Sequence, residues 1–178
     1  MMDMDTTEKL RMAKARIRQA CIDAALVNTP ASVRIIRIRR NLSGRAYNSE
    51  VIAVPRPITR RALHVFLHEC AHVALGHVGA NKAAQFRPTL PHVGPGLTVA
   101  APGPRAKRKP RHVEEYEAER WAFDRMRESG ISVPRKSLRR AKSYVAYKIH
   151  QARRRGAKTI DQEAQRWAGR QRHELQRA

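Results

Sequence analysis

His68 and His72 stand four residues apart, with a glutamate directly after the first: His68-Glu69-Cys70-Ala71-His72. If the segment is helical, positions i and i+4 share a face, so the two imidazoles can offer nitrogen to one metal ion. Glu69 stands beside that face, where a carboxylate can take the proton of a water attacking a carbonyl. The spacing points to zinc-assisted hydrolysis, with peptide bonds as the expected target. The plainer alternative is a buried helix with two structural histidines. Glu69 separates the two readings, because a structural site has no use for it.

Such chemistry needs a rigid helix under the histidines. The apolar run from Leu63 to Leu75 predicts one, with Thr59 as N-cap and Gly76 just past its end. Ala62, Val65, Phe66, Cys70, Val73 and Ala74 form its expected core face. Cys70 falls on roughly the opposite side from His68 and reads as a core thiol. Catalytic zinc takes three protein ligands and keeps one position open. The chain is poor in acids, yet Glu114, Glu115, Glu117, Glu119, Asp124 and Glu128 crowd into a helix predicted over 112–129. A helical projection puts Glu114, Glu117, Asp124 and Glu128 on one stripe. That concentration fits a bound cation. The competing reading is a solvated face paired with Arg120 and Arg127.

The segments His68-Glu69-Cys70-Ala71-His72-Val73-Ala74-Leu75-Gly76-His77 and Glu115-Tyr116-Glu117-Ala118-Glu119-Arg120-Trp121-Ala122 together resemble the ImmA/IrrE-type metallopeptidases. The resemblance covers roughly residues 33–130. It implies zinc as cofactor, His68 and His72 as ligands, and Glu117, the glutamate before the alanine, as the third ligand. Glu114 is the reserve ligand and Glu69 the general base. The resemblance also implies a protein substrate, such as a DNA-bound regulator. The chain departs from the family where Trp121 replaces a usual Phe and Glu119 a common Asn. The insertion after residue 77 is long, and Met126-Arg127-Glu128-Ser129 stands where Leu-Met-Pro is usual.

Other zinc patterns fit less well. A metzincin needs glycine and histidine where this chain has Leu75 and Val78. His77 is expected just past the helix end, and His64 as a structural or supporting histidine. An SprT-like all-histidine site would recruit His92 or His112. Tyr116, His112 and His92 are the candidate donors to a developing oxyanion.

Around this core, a helix is predicted over 5–27 with capping-box spacing between Asp5 and Glu8. A strand over 33–39, a turn over 41–44 and a strand over 45–54 follow. Glycines, prolines and a basic cluster make 77–111 a flexible basic loop. Later helices are expected over 135–155 and, from a Thr159–Gln162 capping box, to about residue 175. The expected fold is α+β: a mostly helical zincin-like core with a small antiparallel sheet before the metal-binding helix. The organisation is an N-terminal helix (1–30), the core (31–130) and a basic helical region (131–178).

Charge adds a second theme. Lys and Arg number 37 against 15 acids, a net charge of +22. Such a chain is drawn to polyanions, nucleic acid first and anionic membrane second. No acid occurs between Ser129 and Ile160. No base-reading motif accompanies the basic residues, so nucleic-acid contact would be non-specific. The alternative to an enzyme is therefore a DNA-binding or mobile-element structural protein with a non-catalytic metal site. Two cysteines imply no disulfide framework. The first residues lack a signal-peptide pattern, and no apolar run is long enough to span a bilayer. A cytoplasmic location is the expectation.

Overall fold

The computed structural model describes residues 6–29, 33–38, 44–48, 50–78 and 109–169. In chain order these form α1 (Thr6–Val27), β1 (Arg34–Ile38), β2 (Arg45–Asn48), β3 (Val51–Pro55), α2 (Arg60–Ala74), α3 (Arg111–Glu128), α4 (Arg135–Arg154) and α5 (Gln162–Ala168). The protein is α+β and mostly helical. Asp5, the interior of 77–111 and the expected extension to residue 175 lie outside the described residues. Among the described residues, no helix is long and apolar enough to cross a membrane.

α2 forms for local reasons. The Thr59 hydroxyl accepts the Ala62 N–H at 3.1 Å, supplying one of the partners that a helix start lacks. At the other end the Leu75 N–H returns to the Ala71 carbonyl, and Gly76 follows at φ +67°, a left-handed conformation that glycine takes without strain. Between these caps Leu63, Phe66, Leu67, Cys70 and Val73 are buried.

The sheet differs from the expected antiparallel pair. Its order is β1-β3-β2, with β1 parallel to β3 and β2 antiparallel to it. The single strand expected over 45–54 is two, with a break between Asn48 and Val51. Every residue of β3 is buried. A fully buried central strand reads as a continuous apolar run, so period-two alternation could not reveal its partners. The last helix also starts differently. Asp161, rather than Thr159, is its N-cap, accepting the Ala164 N–H at 2.7 Å. Asp161 lies directly before the first helical residue, which is where a cap must stand.

One core joins α1 (Cys21, Ile22, Ala25), β3 (Ile52, Val54), α2, α3 (Ala122, Phe123, Met126) and Ala141 of α4. A second cluster of Tyr116, Val145, Ile149, Ala164 and Ala168 ties α4 and α5 to α3. Burying one large apolar side chain stabilises by about 1.5–3 kcal/mol. Several such side chains on α2 and α3 offset the cost of holding carboxylates between the same helices.

Candidate metal centre

α2 and α3 face each other along a polar seam inside this apolar frame. His64 pairs with Glu119, while His72 lies against Glu115. Partner numbers fall as α2 numbers rise, so the helices run antiparallel through the site. The Nε2 atoms of His68 and His72 are 3.1 Å apart. Glu115 Oε2 is 3.3 Å from the first and 3.4 Å from the second. Zinc bonds of about 2.0–2.1 Å in a tetrahedron require ligand atoms about 3.3–3.4 Å apart. The two edges to Glu115 match that spacing, and the edge between the histidines is about 0.2 Å shorter. Neither oxygen of Glu115 completes a well-directed hydrogen bond, although Arg111 Nη2 stands 2.7 Å from Oε1. A cation between the three atoms would use the lone pairs left over. His68, His72 and Glu115 are the one group of such ligands among the described residues.

The expected third ligand, Glu117, is elsewhere. Its Oε2 is 2.8 Å from His77 Nε2, and Lys109 Nζ lies 2.6 Å from its Oε1. Glu114, the reserve, pairs with Arg111 at 3.1 Å. The physical reason is helix phase. Ala118, Ala122, Phe123 and Met126 define the inward face of α3. Stepping back from them by three and four residues reaches Glu114, Glu115 and Glu119, not Glu117, and of these Glu115 lies against both histidines. The apolar stripe of α3 was the available signal, whereas Glu117, Asp124 and Glu128 of the acidic stripe are half-buried or exposed.

Each candidate ligand histidine has a polar group near its other nitrogen, although His68 Nδ1 completes no hydrogen bond. His68 Nδ1 is 3.4 Å from Glu119 Oε1, whose other oxygen is 2.7 Å from His64 Nε2. The His64 ring stacks on Phe123 at 4.4 Å. His72 Nδ1 is 3.2 Å from His77 Nδ1, and His77 leads on to Glu117. Such outer partners fix the ring orientation and tautomer of metal-binding histidines. Glu117 and His77 thus support the site at one remove.

Glu69 is buried beside the histidines, and the Ala46 backbone N–H of β2 donates to its carboxylate. Gly44 presses on it: a Cβ there would lie 2.5 Å from Glu69 Cγ. Burial raises the Glu69 carboxyl above its usual pKa, the right direction for a general base working near neutrality. Of the expected oxyanion donors, Tyr116 bonds Arg120 and Glu163. His112 Nε2 is taken by the Asp161 N–H. His92 lies outside the described residues. The phenol within electrostatic reach of Glu115, Glu69 and Glu119 is Tyr144 of α4, which nothing local in its helix marks for this site. Cys70 is buried in the core, and burial pushes its thiol up to about 12.

In the metal-free chain, burial disfavours the His68 imidazolium, but Glu119, Glu115 and Glu69 outweigh it and raise its pKa to about 9. Burial lowers His72 to about 4, so it is neutral at ordinary pH. Zinc needs neutral imidazole. Below pH 9, binding must therefore expel one proton from His68 and none from His72. Apparent zinc affinity should rise about tenfold per pH unit from pH 6 to 8.5 and level off near 9, not near 6.5. Chelator competition across that range measures it; levelling off near 6.5 would contradict the His68 ion pairs.

No family model, curated protein or solved structure matches the chain.

Proposed function

We propose that this is a metal-dependent hydrolase whose cofactor is zinc. More particularly, we read it as an endopeptidase of the ImmA/IrrE type. The carrying observation is that His68, His72 and Glu115 bring three ligating atoms to one point, with the buried Glu69 next in sequence to a ligand. Two imidazoles and a carboxylate with an open position make a catalytic zinc set rather than a closed structural one. Glu69, Glu114, Glu115 and Glu119 also outnumber Arg111, the one guanidinium paired with them among the described residues, so a dication would offset most of the excess negative charge.

Zinc at this point supplies Lewis acidity, bringing water's pKa toward neutrality and polarising a carbonyl. Glu69 accepts the attacking water's proton and delivers it to the leaving amine. Ala46 N–H and the glycine at 44 hold its carboxylate in one place. Arg111 anchors Glu115 from the other side. Tyr144, the phenol within electrostatic reach of Glu115, Glu69 and Glu119, is the candidate donor to the developing oxyanion. A DNA-bound regulatory protein is the substrate class that the family resemblance suggests.

The test is cleavage of an unfolded protein such as casein by the full chain. Activity should vanish with 1,10-phenanthroline and return with zinc. Tyr144→Phe should lower kcat by about 10²–10³-fold, the typical cost of one oxyanion donor, with KM little changed. Chelator-insensitive cleavage, or none by the zinc-loaded chain on casein or a repressor panel, would overturn the reading.

A further inference from the structure

α4 divides its surface sharply. Ser137, Ala141, Val145 and Ile149 recur every four residues and are its buried stripe. Arg135, Lys136, Arg139 and Arg140 are exposed, as are Arg154 and its neighbour Arg155 at the far end. No acid occurs between Ser129 and Ile160, and no ion pair among the described residues joins an acid to any of these six side chains. The acids of α3 are engaged with Arg111, Lys109, Arg120, Arg125, Arg127 and the site histidines. Lys142 and Lys148 differ from the six, because they lie over the rings of Trp167 and Tyr144. The outer face of α4 is therefore a set of guanidinium and ammonium groups with no counterion in the described fold.

We infer that the outer face of α4 binds the phosphate backbone of double-stranded DNA without reading sequence. The helix has 20 residues, about 30 Å at 1.5 Å per residue. Its two basic ends lie about 20 Å apart along the axis, enough to reach phosphates on both walls of a major groove about 12 Å wide. A membrane surface fits less well. Interfacial helices bury an apolar face in lipid, and Tyr147 is the one large exposed apolar residue on α4. Single strands are held by successive aromatic stacking platforms, and α4 exposes one ring, Tyr147. The inference rests on the surface of α4 and stands whether or not the metal centre is catalytic.

Fluorescence anisotropy with a random-sequence duplex of about two helical turns tests it on the full chain. Wild type should bind with a Kd of about 1–100 μM at physiological salt and show a steep salt dependence. Arg135→Gln/Lys136→Gln/Arg139→Gln/Arg140→Gln should reduce the slope of log K against log salt by about 3–4, near 0.9 per lost contact, and weaken binding at least about tenfold at 0.1 M salt. Arg139→Gln/Arg140→Gln should lose about half of that slope and guards against misfolding of the larger variant. The control Lys9→Gln/Arg11→Gln/Lys14→Gln/Arg16→Gln removes the same charge from exposed α1 positions. It should change the slope by less than about 1. An equal loss in the control would overturn the assignment in favour of diffuse charge. So would tighter α4-dependent binding to anionic vesicles than to duplex, or no duplex binding at low salt.

Discussion

Glu115→Ala should empty the metal centre, while Glu117→Ala should only weaken it. Purified wild type is expected to carry about one zinc per chain, the stoichiometry of a three-ligand catalytic site. Glu115 supplies the oxygen 3.3–3.4 Å from both ligand nitrogens, so its loss leaves two histidines and no stable set. Glu117 acts through His77, which meets His72 at 3.2 Å. Removing such an outer partner costs about 10–100-fold in metal affinity. Elemental mass spectrometry with chelator competition separates the two outcomes. A loaded Glu115→Ala protein beside an empty Glu117→Ala protein would reverse the assignment and restore the ligand that the family resemblance implies.

The second large effect belongs to Glu69. Glu69→Gln keeps the size of the side chain and is expected to keep zinc at the wild-type level, because Glu69 is not among the three ligating residues. It removes the base, so kcat should fall by about 10²–10⁴-fold. Gly44→Ala, just before β2, offers an independent check. An added methyl would meet Glu69 Cγ at 2.5 Å and Val65 Cγ1 at 2.8 Å, so the carboxylate must move. That variant should retain zinc yet lose much of its activity. Full activity in Glu69→Gln would remove the catalytic reading of the site and leave a metal site whose role is to hold α2 against α3.

These two experiments divide along the line between what was legible in the chain and what was not. The i, i+4 histidines, the adjacent glutamate and the caps of α2 at Thr59 and Gly76 are local features. Helix geometry alone carries His68 and His72 to one face, and hydrogen bonds within a few residues close the ends. The candidate third ligand is a different matter. Glu114, Glu115 and Glu117 have the same chemistry and nearly the same position. What selects Glu115 is the rotation of α3 about its axis, set by Ala118, Ala122, Phe123 and Met126 entering the core. The sheet fails to read through for a related reason. β1 and β3 pair in parallel although β2 lies between them in sequence, and no local signal encodes a pairing across an intervening strand.

The candidate metal-binding pair, the candidate base, the helix under them and the excess of basic residues were legible in the sequence alone, because each depends on neighbours within a turn or on composition. Only the tertiary structure brings Glu115 to the two histidines, sets His77, Glu117, Glu119 and His64 around them, places Tyr144 within electrostatic reach of the carboxylates, and leaves the six outer cations of α4 without an ion pair to a described acid. Each of these depends on how two elements pack, and packing is settled by the whole apolar core rather than by any one segment.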